Sequence, residues 1–264
     1  IKNIALAGHA GTGKTTLMEA LLYQGGCTER MGSVDAGTTV SDYKPEEIKR
    51  HSSVCTATGS IQLDGLKVNL LDTPGMFDFA GGMIQGISAA DCVMITVSGK
   101  SGVRVGTKKA YRAAAGKPRM FVVTKLDDEN ANFYNVLTDL KSTFGPSVCP
   151  VVVPVIVDRK VDSYINLIEM KAYRYDADGK AQEIPMPTSE VSEKLSYRVD
   201  GLIQAFSEAI AETDETLFEK FFSGEEFTQK ERVDGIHKGM RDGTITPVAL
   251  SLIHISEPTR PLYI

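Results

Sequence analysis

Apolar residues along the first half of the chain fall in short runs that are separated by helical patterns. The runs at residues 4–7, 92–97 and 120–123 are almost continuously apolar, as in strands buried on both faces of a parallel sheet. Helical spacing follows the first run, precedes Gly116 and recurs at 133–144. This alternation predicts an α/β fold with a doubly wound, mostly parallel sheet and right-handed crossovers.

Two segments depart from this alternation. Residues 32–58 are polar and have no period, which predicts a long functional loop. Residues 61–63 and 68–71 flank Asp64-Gly65, and this arrangement predicts a hairpin.

The pattern changes character after a further predicted strand at 151–157. It then predicts, in order, a strand at 165–175, a turn at 176–179, an amphipathic helix at 191–210 and a last helix that Thr228 and Glu231 cap and Gly243 ends. A mixture of this kind is typical of an inserted α+β subdomain.

Composition excludes several classes of protein. The 264 residues are 42% hydrophobic and carry a net charge of −5, so the chain can form a large core but has no broadly basic surface for DNA. Any RNA contact must therefore be local. The four cysteines form no CxxC pair and predict reduced thiols in a cytoplasmic protein. No apolar run is long enough to span a bilayer, and we expect no membrane partner.

The clearest chemical motif is a glycine-rich loop between the first predicted strand and helix. It matches GxxxxGKS/T at every fixed position. Its glycines allow backbone N–H groups to surround phosphate oxygens, Lys14 reaches the β and γ phosphates, and the Thr15 hydroxyl binds Mg²⁺. The predicted phosphate-binding residues are Gly8, His9, Ala10, Gly11, Thr12, Gly13, Lys14, Thr15 and Thr16. A chance glycine turn is disfavoured by the strand and helix around it, and we expect His9 to pack near the phosphates rather than to act as a base.

A second motif, Asp72-Thr73-Pro74-Gly75, follows the strand at 68–71. An aspartate at the carboxyl end of this strand can lie near the metal, and the Gly75 N–H can meet the γ phosphate. DTPG by itself is compatible with an ordinary turn, but after a phosphate loop it favours a nucleotide switch.

The third motif reads the base. Thr124, Lys125 and Asp127 match TKxD after the strand at 120–123. The aspartate can accept both guanine donors, N1–H and N2–H₂, a pair that adenine lacks. The usual first residue is asparagine, so we expect threonine to lose an amide that braces the neighbouring loops. Guanine selectivity would then persist with a lower affinity.

These residues resemble elongation factor G and its relatives over nearly the whole chain, to about Val248. His9 precedes GKTT, DTPG continues as Met76-Phe77-Asp78-Phe79, and residues 128–133 and 165–172 are similar to further family motifs. Met76 and the loop glycines favour the divergent, second-type proteins. The resemblance implies a GTPase that binds GTP or GDP with Mg²⁺ and works with the ribosome in the cytoplasm, with Lys14, Gly75 and position 76 as its catalytic positions.

Several residues depart from the family pattern. Residues 50–54 replace RGITI, so Ser53 takes the place of the threonine that binds Mg²⁺ beside Thr15 and Asp72. Gly11 replaces an aspartate. Met76 replaces the histidine that positions the attacking water, and a thioether cannot orient water as imidazole does. We therefore expect intact binding and hydrolysis slower by about 10²- to 10⁴-fold, unless another group such as His51 substitutes.

The resemblance also implies the domain organisation. We expect a GTP-binding domain at 1–157, an inserted subdomain at 158–243 and a return strand at 244–250. Residues 251–264 match nothing in the family, lack its fifth motif and are expected to be a non-native tail.

Three other functions stay open. Met76 is compatible with a GTP sensor that seldom hydrolyses, and a ribosome-protection or release factor would have a similar domain. A metabolic P-loop kinase fits least, because TKxD and the inserted subdomain have no role there.

Overall fold

The computed structural model describes residues 1–157, 160–175, 181–187 and 199–251, and its contacts divide the chain into two compact units. The first unit contains residues 1–125 and the second residues 126–250. In order, the first unit consists of β1 (Lys2–Gly8), α1 (Lys14–Gln24), α2 (Pro45–Arg50), β2 (Ala57–Leu63), β3 (Leu66–Asp72), a 3-10 turn (Phe77–Phe79), α3 (Ala80–Ala89), β4 (Cys92–Ser98), α4 (Val105–Ala113) and β5 (Arg119–Thr124).

The strands of the first unit form a sheet in the order β2-β3-β1-β4-β5. The pairs β3–β1, β1–β4 and β4–β5 are parallel, and only β2 runs antiparallel to its neighbour. The middle of this sheet is fully buried at Ala5, Leu6, Ala7, Val93, Ile95, Val97, Phe121 and Val123. The continuous apolar runs thus mark strands covered on both faces, and the predicted α/β class with a mostly parallel sheet is confirmed.

The hairpin prediction is confirmed as well. Strands β2 and β3 pair in antiparallel register from Ala57 opposite Asp72 to Leu63 opposite Leu66. Both turn residues have positive φ, 48° at Asp64 and 78° at Gly65, which is the backbone of a type I′ turn.

The prediction that 32–58 is entirely loop is wrong, because the helix α2 lies within it and β2 begins at Ala57. Pro45 begins α2 and Lys49 and Arg50 end it, as helix-end preferences require. Six residues are too few to produce a detectable period, so the hydrophobic pattern gave no sign of this helix.

The second unit combines a parallel strand pair, a separate antiparallel sheet and four helices among its described residues. Its elements are α5 (Phe133–Phe144), β6 (Val148–Pro150), β7 (Val152–Val157), β8 (Lys160–Asn166), β9 (Lys171–Tyr175), β10 (Ala181–Ile184), α6 (Val199–Ala211), α7 (Glu215–Phe222), α8 (Gln229–Asp242) and β11 (Thr246–Leu250). Strand β11 pairs in parallel with β6, and the antiparallel sheet has the order β10-β9-β8-β7.

One prediction about this antiparallel sheet differs from the structure. The single strand at 165–175 is a hairpin of β8 and β9, whose turn forms because Asn166 Oδ1 accepts the N–H groups of Ile168 (3.0 Å) and Glu169 (3.2 Å). The predicted boundary at 157/158 falls between β7 and β8, which pair with each other. An apolar run does not reveal which sheet it joins. The inserted subdomain and its boundary therefore stay predictions.

The last helix begins as predicted. The Thr228 hydroxyl accepts the Glu231 N–H (3.3 Å), and Glu231 Oε2 accepts the Thr228 N–H (2.6 Å), which completes the capping box. Gly243 ends α8 with φ of 78°. The predicted turn at 176–179, residues 191–198 of the predicted amphipathic helix and residues 252–264 of the predicted tail lie outside the described residues.

Candidate functional site

The glycine-rich loop lies between β1 and α1 and is closed by its own side chains. Gly8, Gly11 and Gly13 have φ of 145°, 73° and 78°, a conformation that favours glycine. A Cβ at Gly8 would lie 2.6 Å from the Thr96 carbonyl oxygen, so β4 leaves no room for a side chain there. The Thr12 hydroxyl donates to the His9 carbonyl (2.8 Å) and lies 2.7 Å from the Thr96 hydroxyl.

Lys14 is the first residue of α1 and lies over this loop. Its Nζ donates to the His9 carbonyl at 2.9 Å, and only 6% of the residue is exposed. Burial lowers the pKa of Lys14, while the carboxylates of Asp72 and Asp42 act to raise it. A largely buried cation at the N-terminus of a helix is electrostatically suited to an anion such as a phosphate.

The Thr15 hydroxyl bonds the aspartate that ends β3, and the Ser53 hydroxyl lies beside it. Thr15 Oγ1 donates to Asp72 Oδ2 at 2.6 Å and lies 3.2 Å from Ser53 Oγ. All three residues are buried, and Asp72 is completely so. Desolvation raises the pKa of Asp72 to about 6, although Thr15 and Lys14 oppose the change.

Asp72 Oδ1 is buried and has no hydrogen-bond partner of normal geometry in the part of the chain that the structure describes, although the nearby Ser41 hydroxyl acts to lower the Asp72 pKa. Within the described residues, the two carboxylate oxygens of Asp42 and the Ser41 hydroxyl also lack a hydrogen bond of normal geometry, although the nearby Ser53 hydroxyl acts to lower the Asp42 pKa. Burial raises the pKa of Asp42, and its charge acts on Lys14 and Asp72. The sequence analysis missed Asp42 and Ser41, because they lie in a loop without a period and match no motif considered there.

Gly75 brings the DTPG segment against the phosphate loop. A Cβ at this position would collide with Lys14 Nζ and lie 2.8 Å from the Ala10 nitrogen, so the approach requires glycine. Met76 follows and is 38% exposed. Its neighbour Phe77 lies beside the His9 ring, with the two centroids 5.6 Å apart.

The two histidines considered as catalytic groups have other surroundings. Burial is the main cause that lowers the pKa of His9, and the charges of Lys14 and Arg104 add to it. His9 Nδ1 is buried without a partner among the described residues, against Gly106 of α4. His51 ends α2 with φ of 50°, and its Nδ1 lies 3.2 Å from the Val34 carbonyl. That contact holds His51 to its own loop.

We expected threonine at position 124 to lose the contact between neighbouring loops that asparagine usually makes, but Thr124 makes such a contact itself. Its hydroxyl donates to the Thr12 carbonyl at 2.8 Å and ties the end of β5 to the phosphate loop. Lys125 follows with φ of 55° and is exposed. Asp127 is also exposed and lies two positions further on, in the second unit.

The structure thus gathers the phosphate-loop and switch residues of the first unit at the carboxyl ends of β1 and β3. Ala10, Gly11 and Thr16 complete the loop and the first turn of α1. Their roles in binding stay predictions, as do those of Lys125 and Asp127.

Comparison with known proteins identifies the family. The family model for the elongation factor Tu GTP binding domain matches residues 1–242. The chain belongs to this family. It is therefore a GTP-binding domain of the translational GTPase class, and the guanine nucleotide inferred from TKxD agrees with the family.

Individual relatives agree with this GTP-binding domain assignment. Elongation factor G-like proteins of two Mycobacterium tuberculosis strains are 36% identical over 250 residues, which cover 94% of this chain and 34% of each relative. The Elongation factor G-like protein of Thermotoga maritima is 33% identical with the same coverage. A crystal structure of a Thermus thermophilus protein superposes with a TM-score of 0.86 at 41% identity, over 97% of this chain and 38% of that one. The chain thus spans about a third of the length of its curated relatives.

The described helices include none that is long and apolar enough to cross a membrane.

Proposed function

We propose that this chain binds GTP with Mg²⁺ and hydrolyses it as the switch domain of an elongation factor G-like protein that acts on the ribosome in the cytoplasm. Bound GTP would order residues 32–58 and the segment after Pro74, and hydrolysis would release them. The step of translation is translocation or a related one.

One observation carries the proposal. The buried Asp72 carboxylate receives the Thr15 hydroxyl at 2.6 Å, while Ser53 lies 3.2 Å from the same hydroxyl. Three segments that are distant in sequence thus bring oxygen ligands to one buried point beside Lys14. The other oxygen of this buried carboxylate has no hydrogen-bond partner of normal geometry among the described residues, although the Ser41 hydroxyl lies near enough to act on the Asp72 pKa, and it is therefore open to a ligand.

The grouping of the Thr15, Ser53 and Asp72 oxygens also shows whether the site suits a magnesium ion. Mg²⁺ takes oxygen ligands and usually combines one or two protein groups with substrate phosphates and water. The Thr15 and Ser53 hydroxyls and the unpartnered Asp72 oxygen are ligands of this type, so the residues fit. A bound ion would supply positive charge to the β and γ phosphates.

The chain's own residues supply the other functions. The loop N–H groups and Lys14 stabilise charge on the phosphate oxygens, and the buried position of Lys14 strengthens that interaction. Gly75 permits its backbone to approach the same point, because no side chain intervenes. Asp127 would accept the guanine donors, and Thr124 holds the loop that surrounds the phosphates.

A GTP sensor with little hydrolysis is the second candidate, and Met76 favours it. The side chain that follows Gly75 is a thioether that neither donates to nor orients a water molecule. His51 is bonded within its own loop and is not available as a substitute in this arrangement. Slow intrinsic hydrolysis is expected under either function, so stimulation by the ribosome separates them.

The deciding experiment is Mg²⁺-dependent GTP hydrolysis by the full-length parent protein, with and without ribosomes. Strong stimulation would support the translational GTPase and would show that Met76 is compensated. Tight GTP binding without stimulated turnover would support the sensor. Met76→His should then raise hydrolysis by at least about tenfold, whereas Met31→His, at a methionine of similar exposure (36%), should leave the rate unchanged.

A further inference from the structure

Glu47 is a buried carboxylate in the middle of the switch loop at residues 32–56. It lies in the first turn of α2 and is 2% exposed, although its neighbour Glu46 is exposed. A buried glutamate requires several hydrogen bonds to offset its lost hydration. Glu47 belongs to none of the three nucleotide motifs.

The Glu47 carboxylate binds backbone N–H groups on both sides of its own helix. Oε1 accepts the N–H of Val54 at 2.9 Å and that of Cys55 at 3.1 Å, and Oε2 accepts the Lys44 N–H at 3.2 Å. The Glu47 carbonyl also accepts the Ser52 N–H at 3.1 Å. Hydrogen bonds to an ionised acceptor are about twice as strong as neutral ones.

These bonds enclose Ser53 on both sides. Residues 52, 54 and 55 are all attached to Glu47, and Thr56 is tied to α3 through its bond to the Gly82 carbonyl (2.9 Å). The Ser53 hydroxyl is then presented toward Thr15 at 3.2 Å. Segment 52–56 contains no helix or strand, so side-chain bonds determine its path.

The other end of the loop has a separate anchor. Glu19 of α1 is completely buried and accepts the N–H groups of Gly32 (3.2 Å) and Val40 (2.7 Å). Glu19 makes no described hydrogen bond to residues 52–56. The two glutamates therefore hold different halves of the loop, and only Glu47 is attached to the half that carries Ser53.

We infer that Glu47 is a positioning residue for Ser53: its carboxylate holds the backbone at 52–55 so that the Ser53 hydroxyl lies beside the Thr15 hydroxyl, which in turn bonds Asp72. The inference rests on the proposed function where it treats Ser53 as a metal ligand. The backbone attachment itself holds without nucleotide or metal.

The first test therefore uses the chain free of nucleotide and metal. In Glu47→Gln the side chain loses its negative charge and one oxygen becomes an NH₂ group that cannot accept, so the charge-assisted bonds to Val54 and Cys55 are weakened even where the remaining oxygen still accepts them. Amide hydrogen exchange at Val54 and Cys55 should become roughly tenfold faster or more, with β1 and α1 unchanged. Glu46→Gln removes a charge from the same helix turn and should leave this exchange unchanged. Equal exchange in Glu47→Gln and the parent chain would overturn the inference.

The second test asks whether Glu47 acts through Ser53. The Mg²⁺ concentration that half-saturates binding of a fluorescent GTP analogue should rise roughly 10- to 100-fold in Ser53→Ala and in Glu47→Gln. The double variant should be no worse than the poorer single one, because both changes remove the same ligand. If the increases in half-saturating Mg²⁺ concentration of the two single variants multiplied in the double variant, Glu47 would act independently of Ser53, and the inference would be overturned.

The two tests separate this inference from the proposed function. Nucleotide binding that does not depend on Mg²⁺ in the parent chain would contradict the metal part of the proposed function, while hydrogen exchange would still decide the role of Glu47. If Glu47→Gln prevents folding, Glu47→Asp is the second variant: it keeps the charge, and its shorter reach should still speed the exchange at Val54 and Cys55.

Discussion

At the scale of single residues, the candidate site consists of polar groups whose burial costs stability. Asp72 is completely buried, and desolvation raises its pKa from 3.8 to about 6. The folded chain therefore binds a proton at the Asp72 carboxylate more tightly than the unfolded chain does. The ionised carboxylate destabilises the metal-free protein above about pH 6, and this cost is relieved as the pH falls through about 6 toward about 4.

Replacement of Asp72 should expose this cost. In EDTA at about pH 7.5, Asp72→Asn should raise the free energy of unfolding by on the order of 2–3 kcal/mol, because a neutral amide requires less hydration. At about pH 4.5 the gain should shrink to about a third, since the parent is then mostly protonated at this site. Urea titrations at the two pH values measure both effects. Asp139→Asn, at an exposed aspartate of α5, should show no such pH-dependent gain, and a pH-independent effect at Asp72 would contradict this explanation.

The Thr124 hydroxyl allows a second test at this scale. Thr124→Val keeps the shape and leaves the buried Thr12 carbonyl without its 2.8 Å bond. Guanine nucleotide affinity should fall by roughly tenfold, as measured with a fluorescent GDP analogue. Thr124→Asn should restore the affinity, because its amide can donate to the same carbonyl. Thr138→Val removes a hydroxyl bonded within α5 (2.9 Å to the Tyr134 carbonyl) and serves as the matched control.

At the scale of elements, long hydrophobic patterns predicted helices and strands correctly, and short ones did not. The strands β1, β4 and β5, the helix α5 and the capped helix α8 all appear where the apolar spacing and end signals place them. The helix α2 and the separate strands β8 and β9 were missed. Their form depends on side-chain bonds to the backbone, such as those of Asn166, and these leave no periodic signal.

The type I′ turn gives a prediction about an element. Gly65→Ala should lower the free energy of unfolding by roughly 1 kcal/mol, because φ there is 78°. Gly201→Ala should instead raise it by roughly 0.5–1 kcal/mol, since Gly201 is helical in α6 and a Cβ would meet nothing within 4 Å. Urea unfolding of the two variants compares them directly. Equal effects of the same sign would show that backbone conformation does not control the response at these glycines.

At the scale of the whole molecule, the chain corresponds to about a third of its relatives, and its net charge is −5. Neither feature favours tight binding to RNA by this domain alone. We therefore expect this chain to bind GTP and to show hydrolysis that ribosomes change by less than about twofold, whereas the full-length parent should respond strongly. Hydrolysis rates of the two proteins at one ribosome concentration test this. Strong stimulation of the isolated chain would place the ribosome-responsive surface within it.

The sequence by itself determined the class of fold, the three nucleotide motifs and the family resemblance. Buried parallel strands require continuous apolar runs, and close approach to phosphate requires glycine and lysine at fixed spacing, so both leave local signals. Only the tertiary structure decided which polar groups meet. Ser53, Thr15 and Asp72 come from three separate segments, and Glu47 reaches the backbone beside Ser53 only because α2 folds within the loop. Such contacts depend on distances between segments, which neither spacing nor composition records.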